Sequence, residues 1–284
     1  MKRKNPLITT RIVSNQRIDE RTPRHRSPWI FFALTLMLAA PFSLIGAETA
    51  QSLPQGLGMN LPISSLMVVS PISAAIILVY REEKRAGVKR LLKSVFDLKR
   101  ITHAIWYVPI ILLMPLITLL SYGIMRLMGI PLPDLHIPWL MIPILFALYF
   151  IAAVGEEAGW MGYAIDPLQG RWNALGASII LGSVWAIWHI PAFVQAHDTP
   201  TWIAEQCVLL VATRILMVWL YNNAGKSILA AIIVHDLMNV SDALAPNYSS
   251  PYAPVIVGGV TAILAMIVTF LWGAKTLARF RYTR

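Results

Sequence analysis

Eight stretches of this chain stay apolar for about the ~20 residues that a helix needs to cross a bilayer. They run 28–47, 61–80, 104–123, 139–160, 174–196, 203–222, 227–246 and 254–274. Backbone groups in hydrocarbon must bond within their own segment, so each stretch predicts an α-helix. The fold class that follows is all-α, a polytopic membrane protein of eight transmembrane helices. Segments four and five read as one long hairpin, its tip at Asp166–Asn173, where Pro167 and Gly170 break the helix. The first stretch has the apolarity of a signal sequence. Its basic lead-in is long, and no clean small-x-small cleavage site follows Gly46, so a retained helix is expected.

Composition agrees with the pattern. Of the 284 residues, 57% are hydrophobic and only 13% charged, with a mean hydropathy of +0.62. A soluble domain carries about 45–50% and about 25%. That excludes a disordered chain and argues against an ordinary cytosolic enzyme. A single cysteine, Cys207, leaves neither a disulfide framework nor a cysteine zinc site. The net charge of +10 is concentrated: of 24 Lys and Arg, 8 lie in residues 1–26, 8 in 81–100 and 4 in 275–284. These clusters flank apolar runs, which points to the anionic inner leaflet as partner and not to nucleic acid.

With the N-terminus inside and the spans alternating, 22 of the 24 basic residues fall on cytoplasmic stretches. Arg126 lies outside and Arg214 within the sixth span. That bias places both termini in the cytoplasm and the protein in a plasma (inner) membrane. Three regions result: a basic tail over 1–27, a membrane domain over 28–274 with its motif-bearing core at about 139–246, and a basic tail over 275–284. Residues 81–100 read as a basic amphipathic helix on the inner surface, with Leu91, Leu92, Val95 and Phe96 as its apolar side. A plain solvated connector is the competing reading.

Ionisable side chains inside a span are costly, so they are functional candidates. Glu156 and Glu157 lie in span four, His189 in span five, Arg214 in span six, and His235, Asp236 and Asn239 in span seven. His235 and Asn239 are i,i+4 and share a helix face, as do Trp185 and His189. Glu156 and His189 flank the hairpin tip about equally, each about 25 Å from it by helical rise, so they meet at one height. His235 reaches that height, ~12 Å into span seven, if the hairpin projects roughly 10 Å into the cytoplasm. The spacing thus predicts one polar site between helices four, five and seven. The plainer alternative makes each histidine a structural hydrogen-bond donor between helices and lets the glutamates face water.

The chemistry open to such a set is narrow. There is no suitably placed thiol, no serine elbow, no HExxH and no Walker loop. A carboxylate beside imidazoles fits activation of water. Either Glu156 acts directly as general base, or Glu156, His189 and His235 hold zinc with one coordination position open. Asn239 can donate to a developing oxyanion on either route.

Three runs carry a family resemblance. GEEAGWMGY resembles the EExxxR motif of the CPBP intramembrane proteases, which include the type II CAAX prenyl endopeptidases and the Abi-like bacteriocin-immunity proteins. WAIWHIP is similar to the second motif, an aromatic residue four positions before a histidine, and HDLMN to the third, HxxxN. Order, spacing and placement on spans four, five and seven fit over about residues 100–245. The resemblance implies an eight-helix endopeptidase with a cavity open to the cytoplasm and a peptide or protein substrate entering from membrane or cytoplasm. It implies Glu156 as the water-activating carboxylate, Glu157 as its partner, His189 and His235 in the histidine roles and Asn239 at the oxyanion. It leaves the glutamate and metal routes both open. Met161 stands where the motif has arginine, while Gly159, Trp160 and Gly162 match. Arg214 is expected to face the site and supply the missing cation, or else to pair with a helix end. Two further functions stay open: a catalytically silent binding or immunity protein, and a proton-coupled transporter, for which no internal repeat is found.

Overall fold

The computed structural model describes residues 26–49, 63–134, 137–196, 199–245 and 250–278. Among them there is no strand. The long helices are α1 (Pro28–Thr49), α2 (Val69–Val95), α3 (Tyr107–Leu127), α4 (Ile142–Gly159), α6 (Ala174–Ala196), α7 (Pro200–Asn223), α8 (Ile228–Leu244) and α9 (Ala253–Trp272). A π-helical turn, Trp160–Ala164, and a short helix α5 (Ile165–Arg171) carry α4 onward without a break. Seven of the helical stretches are long and apolar enough to cross a bilayer. The eighth, α8, has 17 residues and carries His235, Asp236 and Asp242, which shortens its apolar run.

The hairpin turn falls within the expected tip Asp166–Asn173, at its far end. Helix continues through Pro167 and Gly170, and the turn falls at Trp172–Asn173. Pro167 follows directly on the π-helical turn, where the hydrogen-bond register of the continuous helix changes. The expected amphipathic segment is the second arm of α2, set off from the first by a kink at Lys84. Span two runs on as α2 to Val95, broken at Lys84 by backbone angles of φ 57° and ψ −156°, and a 3₁₀ turn follows at Leu98–Arg100. Its anticipated apolar side divides: Leu91 and Val95 are buried, while Leu92 and Phe96 are exposed. The start of span two at 61–62, the end of span seven at 246, and the tails over 1–25 and 279–284 lie outside the described residues.

Helix α7 is the centre of the bundle, packed between α6 and α9 and against α8, while α4 lies between α2 and α8. A cluster of aromatics locks α1 in place. Trp160 of the π turn meets Phe31 of α1 edge-on at 5.3 Å and Trp188 of α6 at 5.9 Å. Trp188 in turn donates its indole N–H to Ser70 of α2 at 3.1 Å.

Two contacts set the depth of the polar residues. The Lys226 ammonium pairs with Asp166 at 3.0 Å, and Tyr221 donates to the same carboxylate at 3.3 Å. This ties the hairpin to the turn between α7 and α8. Glu157 lies nine residues before Asp166 and His235 nine residues after Lys226. At 1.5 Å per residue both sit about 13 Å from the tie, so they are level.

Glycine spacing brings α4 against α2. A Cβ on Gly155 would stand 2.8 Å from the Val68 carbonyl oxygen, and one on Gly159 would stand 2.5 Å from that of Pro71. This is the small-xxx-small approach of membrane helices. Gly159→Val is therefore expected to push α4 off α2 and to destabilise by about 1–3 kcal/mol. The check is thermal unfolding in detergent; an unchanged midpoint would show that the contact yields freely.

Candidate active site

Glu156 and Glu157 end α4, one turn before the π-helical segment. Such bulges reorient a helix locally and recur at functional sites. Consecutive helical residues project about 100° apart, and the two carboxylates accordingly find different partners. Glu156 accepts the Trp185 indole N–H of α6 at 2.8 Å. Glu157 accepts two N–H bonds from Arg214 of α7, at 2.6 and 3.1 Å, and lies 2.9 Å from Nδ1 of His235 on α8. Glu157 and Arg214 are completely buried, and His235 and Glu156 are 1% and 3% exposed.

The hydrogen bonds fix the imidazole tautomers. A carboxylate oxygen accepts, so His235 carries its proton on Nδ1 toward Glu157. Its Nε2 then faces Oε1 of Glu156 across 3.9 Å. Nδ1 of His189 lies 3.0 Å from the Trp185 carbonyl oxygen one turn back, which likewise accepts, so Nδ1 carries the proton of that bond. Four helices thus converge, and Trp185 is the hub. Its ring lies 4.1 Å from the Arg214 guanidinium carbon and meets both His189 and His235 edge-on, with centroids 5.2 Å apart. The pairing of a guanidinium with both an aromatic face and a carboxylate is what arginine offers and lysine does not.

His189 and Asn239 are half-buried at the edge of this cluster, and Asn239 lies one turn beyond His235 on α8. His189 also stacks on Phe193 at 5.4 Å. Asp236 is fully buried, yet neither of its carboxylate oxygens has a hydrogen-bond partner among the described residues. Two grooves of about 700 and 770 Å³ lie elsewhere on the bundle, and neither is lined by a site residue. His189 and Asn239 are the two members of the cluster that retain exposure.

Met161, 1% exposed, packs in the core of the π turn. Beside it, Arg26 enters from just before α1. It donates to the Gly162 carbonyl at 3.3 Å and pairs with Glu83 of α2 at 2.8 Å, with its guanidinium 5.0 Å from the Tyr163 ring. Trp185 and Arg26 are partners that the sequence reading did not assign. A buried tryptophan needs an acceptor for its N–H, and Trp185 shares a face with His189. That signal was available. For Arg26, one cation among eight in a basic stretch, there was none.

Glu156, Glu157 and His235 present ligand atoms within 4.8 Å of one another and can hold a metal ion. His189 is not part of that group. Both oxygens of Glu157 are already engaged by Arg214 and His235, and a guanidinium is a poor neighbour for a cation. The donors left open are Oε1 of Glu156 and Nε2 of His235, with His189 as a third candidate.

A family model described as type II CAAX prenyl endopeptidase Rce1-like matches residues 138–241 of this chain. The CAAX prenyl protease 2 of Methanococcus maripaludis is 29% identical over 238 residues, an alignment that covers 77% of this chain and 84% of the relative.

Proposed function

We propose that the chain belongs to the CAAX-protease (CPBP) family of membrane proteins and is an intramembrane endopeptidase in which Glu156 activates water. One observation carries the reading. Oε1 of Glu156 and Nε2 of His235 face each other across 3.9 Å, a gap that one water can bridge with two bonds of about 2.8 Å. The second carboxylate, Glu157, is matched by Arg214 and so does not compete for that water.

In this mechanism Glu156 takes a proton from water as the hydroxide oxygen attacks the peptide carbonyl. The new C–O bond forms, and the Asn239 amide donates to the oxyanion. Glu156 then returns its proton to the amine as the C–N bond breaks. His235 orients the water through Nε2, held in that tautomer by Glu157. His189 offers Nε2 to the bound substrate at the exposed edge. Were a metal bound, Glu156 and His235, with His189 as a third candidate, would hold it; zinc is one ion that fits such a set, and it would polarise the carbonyl and acidify water. The silent-homologue reading drew on Met161. Arg214 on Glu157 supports activity instead, since the charge that the motif arginine would supply has a source on α7.

The test is cleavage by the protein purified in detergent. The substrates are peptides ending in a CAAX sequence, with and without a prenyl group on the cysteine, and zinc content is measured in parallel. Cleavage that persists after chelation is the expected result; activity that tracks bound zinc would replace the glutamate-only route with the metal one. Complete inertness toward both peptides would favour the silent reading. Asn239→Ala is expected to lower turnover about 10²–10³-fold if its amide serves the oxyanion; a wild-type kcat would remove it from that role.

The charge bias supports a plasma-membrane orientation with both termini in the cytoplasm. Reporter fusions at Thr49 and Asn247 are expected to report outside, and fusions at Lys89 and Arg284 inside. An outside signal at Lys89 would overturn the eight-helix topology.

A further inference from the structure

The charged half of α2 sorts its residues by sign. Its acids turn inward: Glu82 accepts from the Tyr163 hydroxyl at 2.6 Å, and Glu83 pairs with both Arg26 and Arg90. Its remaining cations do not follow. Arg85, Lys89 and Lys93 are exposed, and among the described residues none of them forms an ion pair. Spaced i, i+4, i+8, they make one stripe along the helix. Val88, Leu92 and Phe96 repeat at the same interval and form an apolar stripe directly beside it. Leu92 and Phe96 are 41% and 60% exposed. Across the backbone break at Lys84, Ile76 and Tyr80 of the first arm close the other wall. The result is a groove of about 700 Å³, within the ~300–1,000 Å³ range of small-molecule sites.

We propose that this groove is a specific site for one anionic glycerophospholipid of the surrounding bilayer, its phosphate against Arg85, Lys89 and Lys93 and an acyl chain along Ile76, Leu92 and Phe96. Charge and apolarity together select the occupant. An inorganic phosphate would leave the apolar stripe in water, and a zwitterionic lipid would bring its own ammonium among three cations and no net negative charge to match them. The level is right as well, since α2 passes here from an apolar span to a charged end, with Tyr80 at the boundary where tyrosine collects in membrane proteins. The site also reaches the catalytic region. Leu91, on the inner side of the same helical turns, packs on Gly162 so closely that a Cβ there would stand 2.8 Å from its Cδ1. A lipid seated in the groove holds this arm against the π turn that follows Glu156 and Glu157.

The measurement is native mass spectrometry of the full chain in mild detergent, titrated with phosphatidylglycerol or phosphatidylcholine. Phosphatidylglycerol is expected to remain as a one-to-one adduct at concentrations where phosphatidylcholine does not. The triple variant Arg85→Gln, Lys89→Gln, Lys93→Gln is expected to weaken that adduct on the order of 100-fold, from the attraction that each basic residue adds near an anionic headgroup. The variant Arg171→Gln, Lys275→Gln removes exposed charge elsewhere and is expected to leave it unchanged. Equal retention of the two lipids, or equal binding by wild type and triple variant, would overturn the proposal. Should the triple variant fail to fold, Leu92→p-benzoylphenylalanine in the otherwise native chain decides. Photocrosslinks to phosphatidylglycerol in mixed vesicles support the site; crosslinks to the protein itself, or to both lipids equally, refute it.

Discussion

Glu156→Gln is expected to lower turnover about 10²–10⁴-fold, the usual cost of losing a general base, while leaving the fold in place. The substitution keeps the side-chain shape. The Gln carbonyl oxygen can still accept the Trp185 indole N–H that now meets Glu156 at 2.8 Å, and its amide can donate to Nε2 of His235. Only the basicity is gone. Thermal unfolding should therefore barely move. Glu157→Gln makes the contrast sharp, because that side chain carries the charge facing Arg214. It should lower stability as well as activity. A variant with Glu156→Gln that turns over at the wild-type rate, at equal folded yield, would eliminate the mechanism. A loss of activity accompanied by loss of bound zinc would instead assign Glu156 as a ligand.

How far the sequence alone reached can be read from particular residues. Helical rise placed Glu156, His189 and His235 at a common height, and the tie between Asp166 and Lys226 gives a physical reason for that level. The turn at Trp172–Asn173 stands six residues, about 9 Å, beyond that tie, close to the projection that the spacing required. The turn lies inside the expected tip, but Pro167 and Gly170 do not break the helix: it runs through both, and a Cβ on Gly170 would meet open space. Long-range partners were the part least legible. Nothing in a one-dimensional pattern tells which of two adjacent glutamates turns to α6 and which to α7. The π turn at Trp160–Ala164 is equally silent in composition, because it changes hydrogen-bond register and not residue type. The division of Leu91 and Val95 from Leu92 and Phe96 had the same cause: periodicity marks an apolar side, but neighbours decide which part of it is covered.

Arg214→Leu is expected to cost about 3–5 kcal/mol, because it strands a buried carboxylate with its main partner removed. The motive is geometric. Both residues are completely buried, the guanidinium donates two bonds to Glu157, and its face rests on Trp185 at 4.1 Å. A typical domain has only about 5–15 kcal/mol of stability, so this single change should cut folded yield and lower the unfolding temperature steeply. Removing the stranded charge as well tests the cause. In the double variant Arg214→Leu, Glu157→Leu the lone charge is absent, and replacing a buried ion pair by apolar groups of similar size is often neutral. Recovery of most of the lost stability in the double variant, with activity still absent, is the expected outcome. The coupling energy from that cycle reports the interaction itself. Additive losses would show that Arg214 acts through packing against Trp185 alone, and the pairing would then have no part in keeping Glu157 off the catalytic water.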